Sequence, residues 1–123
     1  MATRMRRKIL FVDDEPHWRD SVSASLTAAG FDVLTASDGS EAMAQATDPS
    51  LGLIIVDEDL AGESGLMLTK FLRHNHPDVP SMLHTSLEHD VNETLDMTSQ
   101  GPDQCVPKGS VEELIVNVGC CLR

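Results

Sequence analysis

Leu51-Gly52-Leu53-Ile54-Ile55-Val56-Asp57-Glu58-Asp59 runs from an apolar stretch straight into three acids. A short run of this kind, lacking helical spacing, predicts a strand over 51–56 that is buried on both faces. The same pattern stands near the start of the chain, where Ile9-Leu10-Phe11-Val12 is followed by Asp13-Asp14-Glu15. A single acidic run is usually a solvated turn. Two of them, each ending an apolar strand, call for a common cause.

Outward from these strands the chain alternates. After the first, Pro16 suits the opening turn of a helix, Trp18, Val22, Leu26 and Ala29 follow at helical spacing, and Gly30 is a fitting stop. Phe31–Ala36 reads as a second strand. Asp38 with Glu41 forms a capping box before a helix whose apolar side is Ala42, Met43 and Ala46. Leu68, Phe71 and Leu72 mark a third helix closed before Pro77, and Met67 with its neighbours reads as core rather than a binding stripe. Val79–His84 predicts a fourth strand. Residues 88–100 read as a weak helix with Val91 and Leu95 as core positions, and Gln104–Val106 as a short fifth strand. Ser110 with Glu113 opens a last helix carrying Val111, Leu114, Ile115, Val118 and Leu122 on one face. The predicted class is therefore α/β, a doubly wound five-stranded parallel sheet with five helices. In such sheets ligands bind beyond the C-terminal ends of the strands, where both acidic clusters fall.

Composition narrows the function. The 123 residues suit one domain, with a basic flank over 1–8 (Arg4, Arg6, Arg7, Lys8) and a folded unit over 9–123. A net charge of −11 disfavours direct nucleic-acid binding. Aromatic content of 3% argues against stacking platforms for bases or flavins. No apolar stretch approaches the roughly 20 residues that span a bilayer, and the basic flank does not read as a signal peptide. Cys105, Cys120 and Cys121 have no metal-ligand spacing and fit reduced thiols in a cytoplasmic protein. The histidines, His17, His74, His76, His84 and His89, show no metal spacing either, and His17 reads as a surface helix position.

Were Asp13, Asp14 and Asp57 to converge, each pair of charges about 5 Å apart would cost roughly 3 kcal/mol at an effective dielectric near 20. A retained proton or a bound cation must relieve this. An all-oxygen set with open positions suits Mg²⁺, with Mn²⁺ as a substitute.

With these residues in place the chain resembles the receiver domain of two-component response regulators along essentially its whole length. The marks are Asp13-Asp14, Asp57, Gly65 in the following loop, Thr85 after strand four and Lys108 after strand five. The resemblance implies a flavodoxin-like receiver fold over 9–123 with strand order 2-1-3-4-5. It implies Asp57 as acceptor of a phosphoryl group from a sensor histidine kinase or phosphotransfer protein. Asp14, Asp57 and the backbone carbonyl of Asp59 would hold Mg²⁺ directly, with Asp13 acting mostly through water. Lys108 would neutralise the phosphoryl group and Thr85 would donate its hydroxyl to it. Such a domain is a signalling phosphoacceptor, not a turnover enzyme beyond its own phosphotransfer and slow autodephosphorylation. Its expected partners are the kinase and a downstream protein or an output domain outside this chain. A phosphorylation-dependent homodimer would use the fourth helix, fifth strand and fifth helix. No membrane contact is expected.

Several positions depart from the family. Ala61 stands where most members have proline, and Gly109 follows the lysine where proline usually gives a cis bond, so a trans bond is expected. Cys105 replaces the usual switch aromatic, which throws the output switch onto other elements, residues 88–100 among them. Asp59 and Leu87 occupy the positions that tune phosphate lifetime and point in opposite directions. Three other readings compete. A haloacid-dehalogenase-type phosphatase would use Asp57-Glu58-Asp59 but leaves Asp13-Asp14 unexplained. A flavin carrier would need a phosphate loop. A degenerate receiver would bind partners without phosphorylation.

Overall fold

The computed structural model describes residues 8–60, 62–85, 102–107 and 111–121. Strand β1 (Lys8–Val12), helix α1 (Pro16–Ala28), strand β2 (Asp32–Ala36) and helix α2 (Gly39–Gln45) come first. They are followed by β3 (Leu51–Asp57), the two-residue strands β4 (Asp59–Leu60) and β5 (Glu63–Ser64), and α3 (Gly65–Asn75). Strands β6 (Ser81–Thr85) and β7 (Gln104–Pro107) and a C-terminal helix (Val111–Cys121) complete the described elements. The main sheet is parallel throughout, in the order β2-β1-β3-β6-β7. With the antiparallel β4–β5 ribbon set aside, this is the expected 2-1-3-4-5 winding. The weak helix predicted over 88–100 lies outside the described residues.

Strand alternation divides the core into two layers. Leu10, Val12, Ile54, Val56 and Leu83 pack with α2 and α3 residues such as Ala42, Ala46, Leu68 and Leu72. Ile9, Phe11, Leu53, Ile55 and Met82 pack on the other side with Val22 and Leu26 of α1 and Leu114 and Val118 of the C-terminal helix. Every residue of β3 is buried, which is why its sequence lacks polar alternation.

Local signals explain the helix ends. Glu15 caps α1, its carboxylate accepting the amides of Trp18 (2.9 Å) and His17 (3.3 Å). Chiefly the Trp18 bond holds the Glu15 carboxyl below its ordinary value. Pro16 occupies the first turn, and Gly30 ends the helix at φ 99°. Asp38 caps α2 through the Glu41 amide at 2.8 Å, while the Glu41 carboxylate reaches back to the Ser37 amide at 3.1 Å.

Three expected core residues are instead on the surface. Met43 is 41%, Met67 61% and Phe71 53% exposed. In α3 the sheet-facing places are taken by Gly65, Leu68, Thr69 and Leu72, and the Thr69 hydroxyl satisfies itself on the Gly65 carbonyl at 2.7 Å. Gly65 and Thr69 carry little apolar signal, so the apparent stripe shifted one position around the helix, onto Met67 and Phe71. Ala29 is likewise exposed, at the C-cap of α1.

Candidate functional site

β1 and β3 are neighbours, and their ladder ends with Val12 opposite Val56. One step further the register sets Asp13 across from Asp57. Carboxylate oxygens of Asp13, Asp14 and Asp57 lie within 4.8 Å of one another. Asp13 is fully buried and Asp57 is 3% exposed, while Asp14 is half-buried. The expected convergence is therefore present.

Backbone bonds fix the two leading acids. The Asp13 amide donates to the Ala36 carbonyl at 3.0 Å, extending the β1–β2 ladder by one rung. Asp13 Oδ1 accepts the Glu15 amide at 3.0 Å, and Arg19 Nη1 donates to the Asp13 carbonyl at 2.9 Å. Asp57 Oδ1 accepts the Asp59 amide at 3.2 Å. The next residue, Glu58, is pinned on both sides: its amide donates to the His84 carbonyl and its carbonyl accepts the Gly65 amide, each at 2.9 Å. Asp59 is exposed at the start of the β4–β5 ribbon.

Gly65 shows why that loop needs glycine. A Cβ there would overlap the Asp57 carbonyl oxygen and crowd the Glu58 Cα, closer than real atoms approach. Gly65→Ala should therefore cost about 1–3 kcal/mol, read from the urea midpoint. Helix propensity alone would make the same change stabilising by up to about 1 kcal/mol, so the sign decides which effect rules.

Thr85 closes β6, one residue past the His84 that pairs with Asp57. It is buried, and its hydroxyl donates to the Val106 carbonyl at 3.5 Å, a long bond. Cys105, opposite Leu83, is half-buried against the core layer that holds α2 and α3. Lys108, Ala61, Leu87 and Gly109 lie outside the described residues.

One residue of this neighbourhood has no counterpart among the expected site residues. His84 is 2% exposed and makes edge contacts with Trp18 (5.7 Å, 90°) and Phe11 (6.2 Å, 61°). By register it neighbours Asp57, and its ring lies on the α1 side of the sheet. Its parity with Met82 in a strand buried on both faces is the sequence signal that would have found it.

A carboxylate cluster of this geometry is a hard-oxygen donor set, so the residues present fit a small divalent cation. The family model described as "Response regulator receiver domain" matches residues 9–118. The chain belongs to this family.

The relatives agree. A probable transcriptional regulatory protein of Mycobacterium tuberculosis, TcrX, is 32% identical over 115 residues, covering 94% of this chain and 49% of its own length. The alkaline phosphatase synthesis transcriptional regulatory protein PhoP of Bacillus subtilis is 31% identical over 119 residues, covering 97% and 50%. The receiver domain of NtrX from Brucella abortus superposes with a TM-score of 0.83 at 27% identity, over 93% of this chain and 97% of that one. This receiver thus spans about half the length of the curated relatives it matches. As a receiver it is a signalling domain of two-component regulation. Among the described residues no helix is long and apolar enough to cross a membrane.

Proposed function

We propose that this receiver accepts a phosphoryl group on Asp57 from the phosphohistidine of a sensor histidine kinase or phosphotransfer protein. The observation that carries the reading is the meeting of Asp13, Asp14 and Asp57 at the C-terminal edge of β1 and β3. Asp13, Asp14, Asp57 and the Asp59 carbonyl are the proposed ligands of Mg²⁺, or of Mn²⁺ in its place, which supplies charge neutralisation for the acids and the phosphoryl oxygens.

The chain's own residues do the rest. An Asp57 oxygen forms the new bond to phosphorus as the P–N bond breaks, and the departing imidazole keeps the electron pair and takes up a proton. The Asp59 amide on Oδ1 holds the Asp57 carboxylate in one orientation. Lys108 contributes positive charge to the phosphoryl group. The Thr85 hydroxyl exchanges its long bond to Val106 for a phosphoryl oxygen, which is the proposed local switch. Cys105 is too small to swap pockets as an aromatic would, so the response passes through Thr85 and residues 88–100.

The half-length match to transcriptional regulators supports an output domain outside this chain as downstream partner. The net charge of −11 assigns any DNA contact to that domain. A cytoplasmic setting fits a kinase partner and reduced thiols. Self-association, if phosphorylation drives it, uses the face of the fifth sheet strand and the C-terminal helix.

Intact mass after incubation with Mg²⁺ and either acetyl phosphate or a phosphorylated kinase tests the reading. One added phosphoryl group per chain, absent when the metal is chelated, is expected. No addition from either donor overturns it in favour of a partner-binding receiver that works without phosphorylation.

A further inference from the structure

The exposed trio Met43, Met67 and Phe71 is not scattered. With Ser40, Leu68 and Glu63 these side chains line one groove of about 550 Å³ between α2 and α3. Beyond the C-terminal ends of the same two helices lies a second hollow of about 270 Å³, lined in part by Thr47, Asn75 and Asp78. The helix pair thus presents an open seam whose middle is apolar.

We propose that this seam is a docking site for an amphipathic helix of a partner protein, with apolar anchors at helical spacing and Lys or Arg at its flanks. α3 has 11 residues and so runs about 16 Å, the length of three turns of a docked helix. Two flexible methionines and a phenylalanine suit a groove that adapts to alternative anchors. The rim charges fix the sign of the partner. Glu63 stands at the upper end, its carboxylate also accepting the Gly39 amide at 3.2 Å, and Asp78 at the lower, and neither forms an ion pair among the described residues. Asp48 at the lower end is matched by Lys8 at 2.8 Å, and the cationic Arg73 is taken up by Asp103. Lys70, one turn past Leu66 and Met67, stands on the outer side of α3, away from the acidic ends of the seam.

A second copy of this chain is the poorer occupant. It would bring another −11 of charge to an acidic rim. The three exposed side chains offer on the order of 300 Å², against about 800 Å² per partner in a stable dimer. That area is enough for two or three anchor residues of a single helix.

The docking site is independent of phosphoryl acceptance, and its test reads binding alone. A library of random peptides about 15 residues long is selected against the full chain, and winners are measured by fluorescence anisotropy. Selected sequences should carry apolar residues at i, i+3 or i+4, and i+7 with basic flanks. Met67→Lys and Phe71→Glu should each weaken binding tenfold or more with unchanged thermal melting, as both positions are exposed. Glu63→Gln should reduce affinity and flatten its salt dependence. In methyl spectra the signals of Met43 and Met67 should shift, while that of the buried Met82 stays. Selected peptides that bind Phe71→Glu as tightly as wild type, acidic consensus flanks, or no enrichment would each overturn the proposal. A concentration-dependent dimer that Phe71→Glu dissolves would overturn it in favour of self-association.

Discussion

Asp57→Asn is expected to lower phosphoryl uptake by more than about a hundredfold at any fixed time, from kinase and small-molecule donors alike. The reason is chemical. An amide oxygen carries far less negative charge than a carboxylate oxygen and cannot form a stable acyl phosphate. Geometry is otherwise kept: asparagine still offers an Oδ1 to the Asp59 amide, and the side chain it replaces is almost wholly buried. The variant must therefore remain folded, which circular dichroism verifies. Intact mass gives the stoichiometry, and fragmentation of the wild-type adduct gives the position. An adduct that persists in the variant, or maps to Asp13 or Asp14, would move the nucleophile off β3 and break the assignment of roles.

The second large effect concerns stability and changes sign with the metal. Asp13, Asp14 and Asp57 hold their oxygens within 4.8 Å, so each pair repels by an upper figure of about 3 kcal/mol at an effective dielectric near 20. Asp13→Asn removes two of the three repulsions while its oxygen can still accept the Glu15 amide. In chelator it should stabilise the chain by about 1–3 kcal/mol after relaxation, measured as a higher urea midpoint. With Mg²⁺ at tenfold above its dissociation constant, wild type gains about 1.4 kcal/mol by mass action, and the variant gains much less. The two proteins should thus converge or cross as metal is added. Parallel curves, with Asp13→Asn shifted equally at all Mg²⁺ levels, would show that the cluster does not act as a cation site.

The fold and the acidic cluster were legible because both are written in strong, redundant signals. Leu51–Val56 and Ile9–Val12 are apolar without alternation, which burial on both faces demands, and each stops where the polypeptide reaches the sheet edge. Their parallel pairing then brings Asp13 to Asp57 through register alone. Other features were hidden by the way periodicity is read. Gly65 and Thr69 face the sheet for steric and hydrogen-bonding reasons that hydropathy does not register, so hydropathy assigns Met67 and Phe71 to the core although both are exposed. The β4–β5 ribbon is two residues per strand, too short for any alternation to show. His84 is legible only through its parity in a strand buried on both faces; its edge contact with Trp18, 66 positions earlier in the chain, is not. Thr85 is marked in the sequence by resemblance alone; its partner, the Val106 carbonyl, follows from the pairing of β6 with β7.

The outer strands of the described sheet bear on behaviour at high concentration. β2 forms one rim, is five residues long and begins with the exposed Asp32; β7 forms the other, is four residues long and ends in Pro107, which has no N–H to offer. Short rims that carry a charge or lack a donor are poor templates for strands arriving from other molecules. Crowding should therefore leave this chain free of cross-β fibrils, and a thioflavin assay at millimolar protein would register the exception.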